Sequence, residues 1–258
     1  MAGKNNIIIC EGETDSVLLQ YYMRKVNGWS DTVDKSVQES RLKPEWNKKR
    51  SRSLIRELDA DRDVLTLMPV GGCERLAKGL DSALERNVMS APGSSEPYNR
   101  IVIIRDRDDG ETEELFLSEI DTILEIYNVV HSETLSNNTW HACEMQTQLG
   151  IKITFQLLLM IIPFEENGAM ETFLLNAICN KDPYDKIIIN KCREFVDDVD
   201  PEKRYLNKRR LVTKAKFDTY FSIRTSADQF LQRQNIIKNV EWEQYPSIQR
   251  DFENLSAL

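Results

Sequence analysis

Four short apolar runs are spaced along the chain, and each is followed by a segment in which apolar residues recur at helical spacing. The runs are Ile7–Cys10, Val64–Val70, Ile101–Ile104 and Gln156–Pro163. Each is brief, rich in branched side chains and bounded by polar or turn-forming residues, which is typical of a buried strand. Because strand and helix alternate four times, the pattern predicts an α/β fold with a mainly parallel sheet of about four strands flanked by helices.

Two regions depart from this alternation. Residues 27–63 are polar and highly charged, and they are interpreted as a charged insertion between the first helix and the second strand. Beyond about residue 200 the strand pattern stops, and the apolar spacing there predicts two or three helices. The expected organisation is an α/β domain over residues 1–195 that contains the insertion, and a helical extension over residues 196–258 that packs on it.

Composition places the chain among ordinary globular proteins. Of its 258 residues 41% are hydrophobic and 29% charged, and 34 Lys and Arg against 42 Asp and Glu give a net charge of −8. This balance argues against a uniformly basic coat for nucleic acid, although not against local basic patches. The five scattered cysteines form no CxxC pair, which is typical of reduced thiols in a cytoplasmic protein. The most apolar segment, residues 151–164, is too short to cross about 30 Å of hydrocarbon, so no membrane association is expected.

Acidic residues follow two of the predicted strands. The first strand leads into Glu11-Gly-Glu-Thr-Asp15, and the third leads into Asp106-Arg-Asp108. Ligands of open parallel sheets gather at the carboxyl ends of the strands, so chemistry is expected there. If the chain stays extended after the third strand, Asp106 and Asp108 point to one side, about 6.6 Å apart.

Carboxylates that converge at strand ends repel one another unless a cation neutralises them. Ligands that are all oxygen, without histidine, favour Mg²⁺ or Mn²⁺. Two such ions about 3.5–4 Å apart could activate a water and stabilise the leaving oxygen in phosphodiester hydrolysis. The alternative is that Glu-Gly and Asp-x-Asp are ordinary turn and loop sequences, and that Asp15 is a favourable charge near a helix N-terminus.

The segments Ile7–Asp15 and Ile101–Asp108 resemble the two motifs of TOPRIM domains, which are an apolar strand followed by Glu-Gly and an Asp-x-Asp sequence. The resemblance extends over roughly residues 5–180. It implies a Rossmann-like sheet with a Mg²⁺-dependent phosphoryl-transfer site. It also implies that Glu11 is the general acid/base and a metal-site residue, and that Asp106 and Asp108 are metal ligands, with Asp15 as a further candidate.

Three further segments are similar to TOPRIM proteins. The Gly71-Gly72 turn after the second strand is similar to the glycine-bearing turn of the family, and it either approaches a phosphate or is only a tight turn. The segment 163–171 resembles OLD-type nucleases, so Glu171 or Glu165 would add a carboxylate for the second metal. The alternative for Glu171 is a favourable position at a helix start. OLD-type nucleases also carry a downstream lysine that stabilises the developing phosphate charge, and Lys214 is the candidate here.

Basic residues are concentrated in two segments. Fourteen of the 34 lie in residues 41–56 and 203–216, which contain one acidic residue between them. Such clusters can give an acidic protein local surfaces for a phosphate backbone, although a solvated helix face is an equal alternative. Trp46, within the first cluster, could stack on a base. The candidate nucleic-acid-binding residues are Lys48, Lys49, Arg50, Arg52, Lys208, Arg209 and Arg210.

These observations predict a metal-dependent nuclease of TOPRIM type that acts on DNA or RNA. No GxxxxGK[ST] motif is present, so any ATP hydrolysis would come from a separate ABC/OLD-type ATPase partner. The chain resembles the TOPRIM effector subunits of phage-defence systems that are controlled by such an ATPase. One alternative is a non-catalytic nucleic-acid-binding or regulatory module, and another is a metal-mediated site for a phosphorylated small molecule. The apolar residues of the C-terminal helices either form a homodimer face or complete the core.

Overall fold

The computed structural model describes residues 3–32, 45–47, 50–58, 61–92, 96–131, 133–225, 237 and 240–258. The chain divides into two compact units. The first, called the sheet unit here, consists of Met1–Arg105, Gly110–Ile161 and Asn254–Leu258. The second, called the helical unit, consists of Asp106–Asp109 and Ile162–Glu253. The predicted domain boundary after residue 195 lies inside a helix of the helical unit.

An eight-stranded sheet runs through the described residues. The strands are β1 (Asn5–Cys10), β2 (Ser30–Asp31), β3 (Arg52–Leu58), β4 (Asp61–Pro69), β5 (Arg100–Asp106), β6 (Val130–His131), β7 (Trp140–Gln146) and β8 (Lys152–Ile162). Their order across the sheet is β2-β3-β4-β1-β5-β8-β7-β6. The central strand β1 is parallel to β4 and β5, whereas the pairs β2–β3, β3–β4, β6–β7 and β7–β8 are antiparallel. The sheet is therefore mixed.

The general α/β class is confirmed, but the sheet is larger and less parallel than predicted. The four predicted strands correspond to β1, β4, β5 and β8. Two of the others, β2 and β3, lie in the segment interpreted as a charged insertion, and β6 and β7 lie between the third and fourth predicted strands, where no strand was predicted. The two-residue strands β2 and β6 are too short for a periodic pattern. On β7 buried and less buried residues alternate, so that strand lacks the continuous apolar run of the buried strands.

Three helices of the sheet unit follow predicted strands: α1 (Glu13–Val26), α2 (Leu76–Val88) and α3 (Thr112–Ile126). Leu80 and Leu84 of α2 and Ile120 of α3 join Ile7 and Ile9 of β1 in one buried apolar cluster. Gly79 lets α2 approach the sheet closely, because an added Cβ there would lie 2.7 Å from Ile9 Cγ2. The helices of the sheet unit are therefore packed tightly against the sheet.

The helical unit contains α4 (Met170–Lys181), α5 (Pro183–Asp198), α6 (Arg209–Arg224) and α7 (Pro246–Asp251). The Asp182 side chain accepts hydrogen bonds from the backbone of Tyr184 and Asp185, and Pro183 occupies the first helical position, so α5 has a strong start signal. As predicted, apolar residues of α6 such as Phe217 are buried. Three other apolar residues expected in C-terminal helices, Phe230, Leu231 and Ile236, lie outside the described residues.

Two further observations bear on the general expectations. Within the described ranges, no helix is both long and apolar enough to cross a membrane. All five cysteines are free thiols, in agreement with the expectation of a chain without a disulfide framework.

Candidate functional site

The end of β1 is joined to the turn that follows β4. The backbone carbonyl of Glu11 accepts hydrogen bonds from the N–H groups of Gly71, at 2.7 Å, and Gly72, at 3.0 Å. Both glycines have positive φ angles, 90° and 139°, which side-chain-bearing residues rarely adopt. The two glycines are therefore required for the turn itself, and they hold the backbone of Glu11 at the carboxyl end of the sheet.

Negative charge is concentrated beside Glu11. The Asp15 carboxylate accepts a 2.8 Å hydrogen bond from the backbone N–H of Gly12, the residue before α1, and an acidic residue is favourable there. Burial raises the pKa of the Cys10 thiol well above its ordinary value, and the negative charges of Asp15, Glu13 and Glu11 raise it further. The structure thus brings Glu11 and Asp15, both predicted site residues, to the same end of β1.

Two residues of the first basic cluster lie at this acidic strand end. The Arg52 guanidinium forms an ion pair with Glu13 at 3.4 Å and donates to Gln20 at 2.9 Å. The Arg50 guanidinium lies against Gly71, where an added Cβ would be 2.7 Å from Arg50 Nη1. The other two candidates of this cluster, Lys48 and Lys49, lie outside the described residues.

Trp46 contacts α2. Its indole N–H donates to the Ser82 hydroxyl at 3.0 Å, and the Lys78 ammonium lies 4.7 Å from the ring centroid. These contacts fit an anchor for the segment that contains Trp46, which was the alternative to stacking on a base, and the ring remains partly exposed.

The chain turns immediately after β5, so the extended spacing predicted for Asp106 and Asp108 does not apply. β5 ends at Asp106, and the backbone N–H of Asp108 donates to the Asp106 carbonyl at 3.1 Å. Arg107 holds the turn, because its N–H donates to the Ile162 carbonyl at 2.6 Å and its Nε donates to the Pro163 carbonyl at 2.7 Å. Sequence reasoning missed this role of Arg107, because its side-chain acceptor at Pro163 lies 56 residues further along the chain.

Asp106 contacts the start of α4, beside Glu171 in the sequence. Asp106 Oδ1 accepts a 3.0 Å hydrogen bond from the backbone N–H of Met170, the first residue of the helix. Glu171 is the next residue and is only 5% exposed. The sequence separation between Asp106 and Met170 is 64 residues, so this contact exists only because the fold assembles it.

Arg209, the first residue of α6, reaches the same turn. Its Nη2 lies 3.3 Å from Asp108 Oδ1, 3.2 Å from the Arg107 carbonyl and 3.4 Å from the Gly168 carbonyl. A residue predicted to bind nucleic acid thus forms an ion pair with a predicted metal ligand. The ion pair is accessible to solvent, since the Arg209 and Asp108 side chains are 46% and 50% exposed.

The remaining predicted residues of the second basic cluster also lie on or beside α6. Lys208 and Arg210 are exposed at its start. Lys214 is half-buried one turn further on, and no residue in the described part of the chain forms an ion pair with it. The helical unit therefore contains Asp106, Asp108 and Glu171 together with the start of a basic helix.

The donor chemistry fits a hard divalent cation, but a complete set of protein ligands is not assembled. Among the residues that the structure describes, no group of three or more His, Cys, Asp or Glu side chains could hold a metal ion. Mg²⁺ in enzymes is usually held by one or two carboxylates, several waters and the substrate phosphate, rather than by a protein cage. Asp106 and Asp108 are two carboxylates, which is the number and type of protein ligand that such a site needs.

The two histidines have local partners in the sheet unit. His131, on β6, contacts Asp121 at 3.0 Å, and His141, on β7, is buried and accepts from the Ser136 backbone at 3.1 Å.

Comparison with curated proteins gives no match. Among solved structures, the chain is similar to the crystal structure of hypothetical protein PH0156 from Pyrococcus horikoshii OT3. The two share 16% sequence identity with a TM-score of 0.48, over 98% of this chain and 99% of the other. A family model described as "Protein of unknown function (DUF3226)" matches residues 5–255. Since the match spans nearly the whole sequence, the chain belongs to the DUF3226 family.

Proposed function

We propose that this protein is a metal-dependent nuclease that hydrolyses phosphodiester bonds in DNA or RNA. The observation that carries the proposal is the position of carboxylates at the ends of two neighbouring parallel strands. β1 and β5 are adjacent, with Cys10 paired to Ile104; Glu11 follows β1, and Asp106 is the last residue of β5. The carboxyl ends of parallel strands are where open α/β sheets bind ligands.

In this proposal Asp106 and Asp108 are the metal ligands, with Asp15 and Glu171 as further candidates. When bound, Mg²⁺ or Mn²⁺, as one ion or two, would stabilise negative charge on the phosphate and lower the pKa of bound water. Glu11 would exchange a proton at its carboxylate as general acid/base, a role taken from the TOPRIM resemblance. The turn held by Arg107 would orient Asp108, because the Arg107 N–H donates to the Ile162 carbonyl and the Arg107 carbonyl accepts from the Gly168 N–H.

The start of α6 supports contact with a phosphate backbone. Basic residues at a helix N-terminus oppose the helix dipole, so helix stability does not explain Lys208, Arg209 and Arg210 at this position. Backbone N–H groups and cations together attract phosphate. Lys214 lies four residues after Arg210, on the same face of the helix, where it would stabilise developing charge as the resemblance implies.

The test is cleavage by the purified full-length protein. Plasmid, single-stranded DNA and total tRNA are incubated with Mg²⁺, with Mn²⁺ and with EDTA, and the products are separated by electrophoresis. We expect cleavage only with metal, and a loss of about 10²-fold or more in Glu11→Gln, the range for removal of a general acid/base. Glu13→Gln is the matched control, since Glu13 lies two residues away and pairs with Arg52. An unchanged rate in Glu11→Gln would contradict the proposal.

A second candidate is a nucleic-acid-binding module without catalysis. The ion pair between Arg209 and Asp108 favours it, because a protein cation compensates the charge of Asp108. In the same assay such a module would bind the nucleic acids in gel-shift experiments and cleave none of them with either metal. A separate ABC/OLD-type ATPase partner, a homodimer and a role in phage defence are proposed from the TOPRIM resemblance and the apolar C-terminal helices alone.

A further inference from the structure

A cleft of about 340 Å³ lies within the helical unit. Its lining does not include Asp106, Asp108 or Glu171, although it does include Glu165, the alternative to Glu171 that the resemblance to OLD-type nucleases offered. Pockets for small molecules commonly have volumes of about 300–1,000 Å³ and combine aromatic surface with a few placed polar groups. Phe164 and Phe173 supply the aromatic surface here, and the remaining walls are unusually polar.

Two helices line much of the cleft. The lining residues of α4 are Phe173, Asn176, Ala177, Cys179 and Asn180, and those of α5, spaced by four and three positions, are Lys186, Asn190 and Arg193. Lys186 and Asn190 are exposed and Arg193 is half-buried, so the α5 wall of the cleft is a polar surface accessible to solvent. The two asparagines of α4 and the three polar side chains of α5 can therefore contact a polar ligand.

A chain of hydrogen bonds connects three side chains that line the cleft. The Arg193 guanidinium donates to Asn176 Oδ1 at 2.7 Å, and the Asn176 amide donates to Glu166. Glu166 belongs to the segment Pro163–Glu166, which also lines the cleft. Asn176 is thereby fixed in orientation between a cationic and an anionic side chain.

Two cations line the cleft without an ion pair. Neither Lys186 nor Arg193 forms an ion pair with any residue that the structure describes. Both charges reach the cleft, where they lower the pKa of the Cys179 thiol against the larger, raising effect of burial. The lining also includes the carboxylates of Glu165 and Glu166.

A polar atom of α7 completes the lining. The Ser247 hydroxyl oxygen is buried and has no hydrogen-bond partner among the described residues. A buried hydroxyl without a partner is costly, and groups of this kind commonly contact a ligand. Arg250, in contrast, contacts Asp251 at 2.8 Å, so its charge is compensated locally.

We propose that this cleft binds a nucleoside monophosphate. Lys186 and Arg193 would bind the phosphate, because their charges are not paired within the described chain. Glu166 would accept hydrogen bonds from ribose hydroxyl groups, a role that acidic residues commonly take in nucleotide sites. The half-buried ring of Phe164 would stack on the base. The inference concerns a site other than the proposed nuclease centre and does not depend on it.

The test is isothermal titration calorimetry on the full-length protein in EDTA, without nucleic acid. The probes are AMP, GMP, CMP and UMP, with adenosine and inorganic phosphate as partial ligands. We expect at least one nucleotide to bind more tightly than both partial ligands. The double variant Lys186→Gln/Arg193→Gln should weaken that binding about tenfold or more, as expected for lost hydrogen bonds to a charged group. Lys191→Gln, an exposed lysine of α5 that does not line the cleft, should bind like the wild type.

Thermal unfolding of each variant checks that it is folded. If the loss of Arg193 disturbs Asn176, the single variant Lys186→Gln replaces the double variant in the titration. The proposal is overturned if no nucleotide binds the wild type, or if phosphate or adenosine binds as tightly as the nucleotides. Equal weakening in Lys191→Gln and the double variant would also overturn it. Because EDTA removes metal and no nuclease substrate is present, failure of the nuclease proposal would leave this result unaffected.

Discussion

Two aspartates, one in each unit, accept a hydrogen bond from the backbone at the start of a helix. In the sheet unit, Asp15 accepts from Gly12, three residues earlier in the chain. In the helical unit, Asp106 accepts from Met170, which is 64 residues away. The first contact follows from local sequence, since a carboxylate in the first turn is a common helix-capping group. The second requires that the turn after β5 and the start of α4 be brought together, so only the fold creates it.

In each of the two regions an arginine forms an ion pair with a carboxylate. Arg52 pairs with Glu13 in the sheet unit, and Arg209 pairs with Asp108 in the helical unit. Each arginine comes from a different one of the two basic clusters. Both pairs are partly exposed, so each contributes little to stability. Each arginine therefore places positive charge beside carboxylates without a large contribution to stability.

The strongest test of this comparison is removal of charge from both aspartates while their hydrogen bonds are kept. Asparagine retains an acceptor oxygen for the backbone N–H but cannot neutralise a cation. If both aspartates hold metal, Asp15→Asn and Asp106→Asn should each lower metal-dependent cleavage by about 10²-fold, the size of effect seen when a charge-stabilising group is lost. Initial cleavage rates at saturating Mg²⁺ measure this.

The matched control is Asp31→Asn, because Asp31 is an exposed aspartate of the sheet unit that pairs with Arg24. Its cleavage rate should equal that of the wild type. If Asp106→Asn loses activity and Asp15→Asn does not, the two regions differ in function, and Asp15 serves only to begin α1.

A smaller effect is expected on stability when the hydrogen bonds themselves are removed. Asp15→Ala should lower the free energy of unfolding by about 1 kcal/mol, the typical effect of losing a helix-capping side chain. Asp106→Ala should have an effect of similar size, since it removes one backbone hydrogen bond. Urea denaturation followed by circular dichroism measures both. If the Ala and Asn variants of Asp106 are equally stable, its bond to Met170 contributes nothing measurable.

The contrast between the two aspartates also shows what the sequence could predict. Strands β1, β4, β5 and β8 were predictable because each is a buried apolar run, and Glu11 and Asp15 because they follow such a run within a few residues. The short or polar strands β2, β3, β6 and β7 carry no such pattern. The turn after β5 could not be predicted, because the hydrogen bonds of Arg107 that hold it go to Ile162 and Pro163, which no local pattern indicates.

The smallest expected effect concerns the contacts of Arg209. Arg209→Gln should lower the free energy of unfolding by at most about 1 kcal/mol, because its ion pair with Asp108 is half exposed. Arg210→Gln is the matched control, since Arg210 is an exposed neighbour on α6, and it should change stability by less than about 0.5 kcal/mol.

Urea denaturation at low salt and in about 1 M NaCl separates the contribution of the ion pair of Arg209 from that of its hydrogen bonds, because at about 1 M salt charges are screened beyond about 3 Å. Salt should shrink the difference between the variants without removing it, since Arg209 also donates to the carbonyls of Arg107 and Gly168. If the difference vanishes in salt, those two hydrogen bonds do not hold the turn, and the acidic turn of the helical unit is held to α6 by charge alone.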